Sequence, residues 1–227
     1  MTCVRWSTHW SPSWTSEMAV TPMFPLQMAM LPGEELPLRI FEPRYTAMVS
    51  DCLATDEPAF GVVLIAAGRE VGGGDIRSDV GTMAYIAESA DLGEGRYRLR
   101  CVMGERIKVV EWQPDDPYPR AAIEPWPDEP GQSVDVDAIR SIEDRMVALF
   151  ERIAEARGAQ VVARDIVAGA DVSGDASLWL YALASRLPMG PADKYAVLAA
   201  PTVAARVSAL GEAVDTVTAM VEFQLSE

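Results

Sequence analysis

From Met23 to Glu129 the apolar positions recur mainly every second residue, and after Ser133 they recur at threes and fours. Alternation suits a half-buried strand, whose side chains point to opposite faces, whereas spacings of three and four line one face of a helix. The chain therefore divides into a strand-built part and a helix-built part. Asp128-Glu129-Pro130-Gly131-Gln132-Ser133, polar and rich in breakers, reads as the linker between them. In the first part, Phe60 to Ile65 is a continuous apolar run ending at Gly68, the pattern of a buried strand, and Thr82 to Ile86 after Gly81 is another. Arg96 to Cys101 alternates strictly and places Tyr97, Leu99 and Cys101 inward. Gly104 offers a turn before a strand at Arg106 to Val109, and a last strand is expected near Ala121 to Glu124. Short strands separated by turn signals predict a small mixed or antiparallel barrel.

The segment from Phe24 to Tyr45 carries prolines at 25, 32, 37 and 43 and a glycine at 33 between short apolar runs. Proline is tolerated at strand edges, bulges, turns and the first turn of a helix. The segment reads as two short strands, a sharp connection at Pro32-Gly33, and a helix from Pro43 to Leu53 with Tyr45, Met48, Val49 and Cys52 on one face. Beyond the linker, Ile139, Ile142, Met146, Leu149 or Phe150, and Ile153 predict a helix behind Ser133 as N-cap. Asp175-Ala176-Ser177 opens a second helix through Leu187, and Pro191 a third through about Leu198. Pro201 opens a fourth, with Val203, Val207, Leu210, Val214 and Val217 as its stripe. Amphipathic helices of this kind must pack on one another or on the barrel. Residues 1–22 differ from both parts. Trp6, Trp10 and Trp14 would share a helix face, but Pro12 interrupts it, so the stretch is either a disordered extension, with Met18 or Met23 as the start, or an aromatic partner-binding motif.

Composition narrows the chemistry. The longest apolar runs fall short of the about 20 residues a membrane-spanning helix needs, and no secretory signal is evident. Three widely spaced cysteines argue against a disulfide framework, and a cytoplasmic location is expected. The net charge of −15 disfavours nucleic acid and anionic membranes as partners. The single histidine, His9, lies in the N-terminal stretch. Without another, the Ser-His-Asp and Cys-His arrangements and ordinary zinc sites are unavailable, so no catalytic, metal-binding or cofactor-binding residue is assigned.

Several motifs together resemble the N-terminal, substrate-binding domain of ATP-dependent Lon proteases. They are the opening Phe24 to Tyr45 segment, Phe60-Gly61-Val62, the Val80-Gly81-Thr82-Met83-Ala84-Tyr85-Ile86 strand, and Gly95-Arg96 followed by Gly104-Glu105-Arg106 as a hairpin. Tyr118-Pro119-Arg120-Ala121 and Asp193-Lys194-Tyr195-Ala196-Val197-Leu198 complete the set, with Tyr195 where the family usually has Gln. The resemblance covers about Met23 to Glu227. It implies an α+β fold: a PUA-like β-barrel over residues 23–129, then a C-terminal α-helical bundle over 130–227. In the full-length proteases this region helps recruit unfolded or degron-bearing polypeptides, and the ATPase and protease domains lie further along. This sequence contains no Gly-x-x-x-x-Gly-Lys-Ser/Thr loop, and its two lysines, Lys108 and Lys194, lie outside that family's peptidase motif. The expected role is a stand-alone, non-catalytic recognition module for polypeptides, acting as an adaptor or competitor for a separate protease.

Candidate sites follow. Met28 and Met30, with Leu36, Leu38, Phe41 and Tyr45 close by, form the candidate polypeptide-binding surface, because flexible thioethers suit promiscuous apolar recognition. Arg96, Arg98 and Arg100, joined by Arg106 and Lys108, are either a solvated sheet face paired with carboxylates or the basis of an RNA-binding PUA-like module. A small-molecule sensor with a pocket between barrel and bundle is a further alternative. Val71-Gly72-Gly73-Gly74-Asp75 leads into a strand rather than a helix and reads as a loop, not a phosphate cradle. The pairs Asp115-Asp116, Asp128-Glu129 and Asp135 with Asp137 read as caps and solvated loops. Cys52 and Cys101 read as small apolar residues on inward faces.

Overall fold

The structure, a computed structural model, describes residues 20–67, 76–159, 162–167 and 174–226. Residues 1–19, which hold the tryptophan stripe, and the glycine run at 72–74 lie outside the described residues. The strands are β1 (Val20–Leu26), β2 (Glu35–Ile40), β3 (Ala59–Ala67), β4 (Ile76–Asp91), β5 (Tyr97–Gln113) and β6 (Arg120–Pro125). The helices are α1 (Pro43–Leu53), α2 (Val136–Ala156), α3 (Ala163–Val167), α4 (Ala176–Ala184), α5 (Pro191–Leu198) and α6 (Val203–Leu225).

The sheet runs β2-β5-β4-β3-β1-β6, and β6 also pairs with β5. The circuit β1-β3-β4-β5-β6 therefore closes. β1 and β3 run parallel, and the other pairs are antiparallel. β5 is long enough to serve two partners: Tyr97 to Val102 pairs with β2, and Ile107 to Gln113 with β6. β2 hangs from the first half of β5 as the sixth strand and has no second strand partner among the described residues. α1 keeps the predicted bounds, since Pro43 fits the first turn, and it lays Tyr45, Met48, Val49 and Cys52 on Phe24, Phe60, Leu99 and Cys101. A second barrel cluster gathers Met23, Val63, Met83, Ile107 and Ile123. The third core belongs to the helices but takes Ala29, Leu31 and Val80 from the barrel, so the bundle packs on the barrel wall.

Several expectations change. β1 opens at Val20, inside the stretch read as an extension. Gly104 is no turn: it lies within the unbroken β5, where an added Cβ would stand 2.4 Å from the Tyr85 ring, so the glycine makes room for that ring. The hairpin turn falls instead at Leu92 to Arg96, with Gly93, Glu94 and Gly95 at positive φ. Asp135, not Ser133, caps α2, its side chain accepting from the Asp137 N–H. Thr202 caps α6, one residue beyond Pro201. The short α3 had no predicted counterpart.

Candidate functional site

The hydrophobic alternation of β2 fixes how the candidate surface is presented. Leu36 and Ile40 turn inward and are buried, Leu38 is half-buried between them, and Glu35, Pro37 and Arg39 are exposed. The six residues of the candidate surface then separate. Met30, Leu36 and Tyr45 are buried in one core cluster, with Leu38 packed against it. Met30 is held there because the loop from β1 to β2 folds down, and its carbonyl accepts from the buried Thr82 hydroxyl at 2.6 Å. Tyr45 tilts against Phe24 at a ring-centroid distance of 4.4 Å. These three side chains serve packing, and in this conformation a partner cannot reach them. Met28, 48% exposed on the β1–β2 connection, and Phe41, 66% exposed just past the end of β2, remain open to contact, with Leu38 partly so.

The outer face of the β2–β5–β4 sheet carries the predicted arginines. Arg100 donates to Glu35 at 3.1 Å and to Glu88 at 2.6 Å. Its hydrogen bond and charge pull the exposed Glu88 carboxyl below its ordinary range. Arg96 pairs with Glu94 at 2.8 Å in the hairpin turn. Arg98 lies across from Arg39 of β2. One expected member of the solvated face, Arg106, is not one. Arg106 keeps the outward side of β5, but the helices cover it and leave it 5% exposed.

Arg106 belongs to a buried cluster that ties the barrel to the bundle. Its Nη1 donates to the carbonyls of Leu198, the last residue of α5, at 2.9 Å and of Ala200 just beyond it at 2.7 Å, and its Nη2 donates to Asp128 at 2.8 Å. Arg206, on the buried stripe of α6, donates to Asp128 through Nη2 at 2.6 Å and Nη1 at 3.2 Å, and to the Ser177 hydroxyl at 2.7 Å. Ser177 in turn donates to Asp128. Each guanidinium also lies on an aromatic ring: Arg106 on Trp126 at 4.4 Å and Arg206 on Tyr181 at 4.3 Å. Two cations share one carboxylate, and the carbonyls at the negative end of α5 supply the remaining acceptors. Burial lowers the Arg106 pKa. For Asp128, burial alone would raise the carboxyl, but hydrogen bonds from Arg206 and Ser177 and both arginine charges outweigh it, and the net shift is downward.

This cluster corrects the reading of Asp128-Glu129 as a solvated linker. Asp128 is the hub, and the Glu129 N–H donates to the Pro201 carbonyl at 2.8 Å. A second tie joins Lys194 of α5 to Glu34 at 2.6 Å, whose other carboxylate oxygen accepts from the Leu31 N–H. The arrangement holds the barrel and the helices in register, with Asp128, Ser177 and both arginines bonded to one another. The other acidic pairs also have local roles. Asp115 pairs with Arg77, which lies over Trp112, and Asp135 caps α2. Cys52 donates to the Ala59 carbonyl, and burial raises its thiol to about 11 and that of Cys101 to about 12. Neither supplies thiolate near neutral pH.

The family of the ATP-dependent protease La (LON) substrate-binding domain matches residues 20–216. Among curated proteins, the Lon protease of Anaeromyxobacter dehalogenans (strain 2CP-C) is 34% identical over 109 residues, which is 47% of this chain and 13% of that protein. Lon protease 2 of Myxococcus xanthus is 30% identical over 124 residues, 53% of this chain and 15% of that protein. The chain thus spans a small fraction of either relative's length. Among solved structures, the crystal structure of a Lon N-terminal domain protein from Xanthomonas campestris aligns with a TM-score of 0.58 at 24% identity, covering 86% of this chain and 98% of the other. That likeness concerns the fold.

Proposed function

The chain belongs to the family of the ATP-dependent protease La (LON) substrate-binding domain, and on that premise we propose that it recognises unfolded or degron-bearing polypeptides without acting on them chemically. The observation that carries this reading is the apolar surface left open around β2. Phe41 is 66% exposed and Met28 48% exposed, and Leu38 is half-buried, so the three bring apolar surface together at the two ends of β2 and along it. Such side chains bind apolar segments without demanding a sequence, as quality-control recognition requires. Burial of both described cysteines and the structural use of Asp128 and Ser177 support the non-catalytic part. No described helix is long and apolar enough to cross a membrane.

The test is a titration of a permanently unfolded, reduced and carboxymethylated protein with the wild-type chain and with Phe41→Ser. Phe41 contributes little to the fold, so the variant should keep its stability and weaken binding by roughly fivefold to tenfold. Equal binding by both proteins would remove Phe41 from the surface. No binding by the wild type would refute the function.

A further inference from the structure

The exposed edge at β2 carries a charge arrangement that packing does not explain. Arg39 and Arg98 are directly opposed across β2 and β5, and both are exposed. Like charges in that position repel. Among the described residues no hydrogen bond or ion pair reaches either guanidinium, and Arg100 binds both nearby carboxylates, Glu35 and Glu88. The whole chain carries a charge of −15, so a cationic pair with no bonded partner among the described residues, Arg98 acting on Glu88 only through space, stands against the mean.

The backbone at this edge is also uncommitted. The Met103 N–H donates to the Glu34 carbonyl at 2.9 Å, which sets the parity of the ladder. With Leu36 facing Cys101 and Leu38 facing Leu99, the even-numbered residues of β2 direct their main chain to β5. Glu35, Pro37 and Arg39 then direct theirs away from the sheet. Pro37 fits this pattern, since at an outward position its missing N–H breaks no ladder bond. Among the described residues, two N–H groups and three carbonyls are left for a further strand, and Phe41 follows two residues after Arg39.

We propose that the free edge of β2 receives an extended acidic polypeptide segment, which pairs with the strand, brings carboxylates to Arg39 and Arg98, and rests an apolar side chain on Phe41. Strand addition takes affinity from main-chain bonds and specificity from alternate side chains. The arginines make acidic residues the preferred ones and speed encounter through steering. RNA fits less well. Its binding draws on several neutralised phosphates and interleaved stacking rings, whereas this face offers two free guanidiniums and one exposed aromatic in an acidic chain.

The inference deepens the polypeptide-recognition reading and rests on it. The experiment uses fluorescence anisotropy with the full chain and three labelled probes: a peptide alternating Glu with Val and Phe, its Gln counterpart, and a single-stranded oligouridine. The wild type should bind the Glu peptide about tenfold more tightly than the Gln peptide at low salt, with the preference shrinking as salt rises. The double variant Arg39→Gln, Arg98→Gln should lose that preference, and its melting temperature should hold or rise as the repulsion is relieved. A preference that survives in the double variant, or tighter binding of the oligouridine than of the Glu peptide, overturns the proposal. If the wild type binds the carboxymethylated protein but shows no acidic preference, the edge proposal fails and the broader reading stands; if it binds neither peptide nor unfolded protein, both fail.

Discussion

Replacing Asp128 with alanine should cost about 3 kcal/mol of folding stability, because it strands two buried cations. The carboxylate accepts from Arg106 at 2.8 Å and from Arg206 at 2.6 and 3.2 Å, besides the Ser177 hydroxyl. The side chains of Arg206 and Arg106 are 0% and 4% exposed, so neither can turn to bulk water. Removing one member of such a buried pair costs about 3–5 kcal/mol. Two features place this site at the lower end. The Asp128 side chain is 24% exposed, so water can enter, and the carbonyls of Val197, Leu198 and Ala200 still accept. For a chain of this length, about 3 kcal/mol lowers the melting midpoint by roughly 6–12 °C. Asp128→Asn keeps an acceptor oxygen but loses the charge and should fall between. The same group sets an acid limb. Its folded-state pKa lies below the ordinary 3.8, so its contribution is complete above the unfolded value and fades as pH falls through the folded one. Wild type should therefore weaken below pH 4 or so by a component that Asp128→Asn lacks. Calorimetry at neutral pH and on the acid side tests both statements. A loss under about 1 kcal/mol for Asp128→Ala, the level of a surface pair, would show that neither buried arginine depends on this carboxylate.

Gly104→Ala should destabilise by about 1–3 kcal/mol in urea unfolding, since its Cβ meets Tyr85 Cε2 at 2.4 Å and the Tyr85 hydroxyl is held by Glu105 at 2.8 Å. A neutral result would show that the ring moves aside. Burial raises the Cys52 and Cys101 thiols from 9.0 to about 11 and about 12, favouring the protonated folded state. Their contribution is complete below 9.0 and is lost as pH rises toward those values, so the urea midpoint under reducing conditions should drop as pH rises from about 9 toward about 11. In a Cys3→Ser background, labelling by a thiol reagent at neutral pH should proceed only as fast as the protein opens. Labelling within seconds in the native state would contradict the burial.

Where local chemistry dictates structure, the sequence was readable. Pro43 and the Tyr45, Met48, Val49, Cys52 face defined α1, and the alternation from Tyr97 to Cys101 gave the facing of β5. Where a neighbour distant in sequence decides, it was not. Gly104 has the residue type of a turn, yet its reason is the Tyr85 ring from β4. Arg106 sits in an outward position and is buried only because α5 and α6 dock over it. Asp128 resembles any linker acid until Arg206 arrives from 78 residues along the chain. One signal was available: Arg206 stands four residues before Leu210 on the buried stripe of α6, a place where a cation needs a partner. The methionine and aromatic surface was half readable. The α1 stripe already turned Tyr45 inward, but pattern alone did not separate Met30, turned into the core, from Met28 and Phe41, which are exposed.

Hydrogen exchange on the full chain, free and saturated with the carboxymethylated protein, shows where an unfolded polypeptide docks. Exchange should slow at the outward amides of Glu35 and Arg39 and around Phe41, while the ladder between β1 and β3 stays unchanged. Protection confined to the helices, or none anywhere at saturation, would contradict docking at β2.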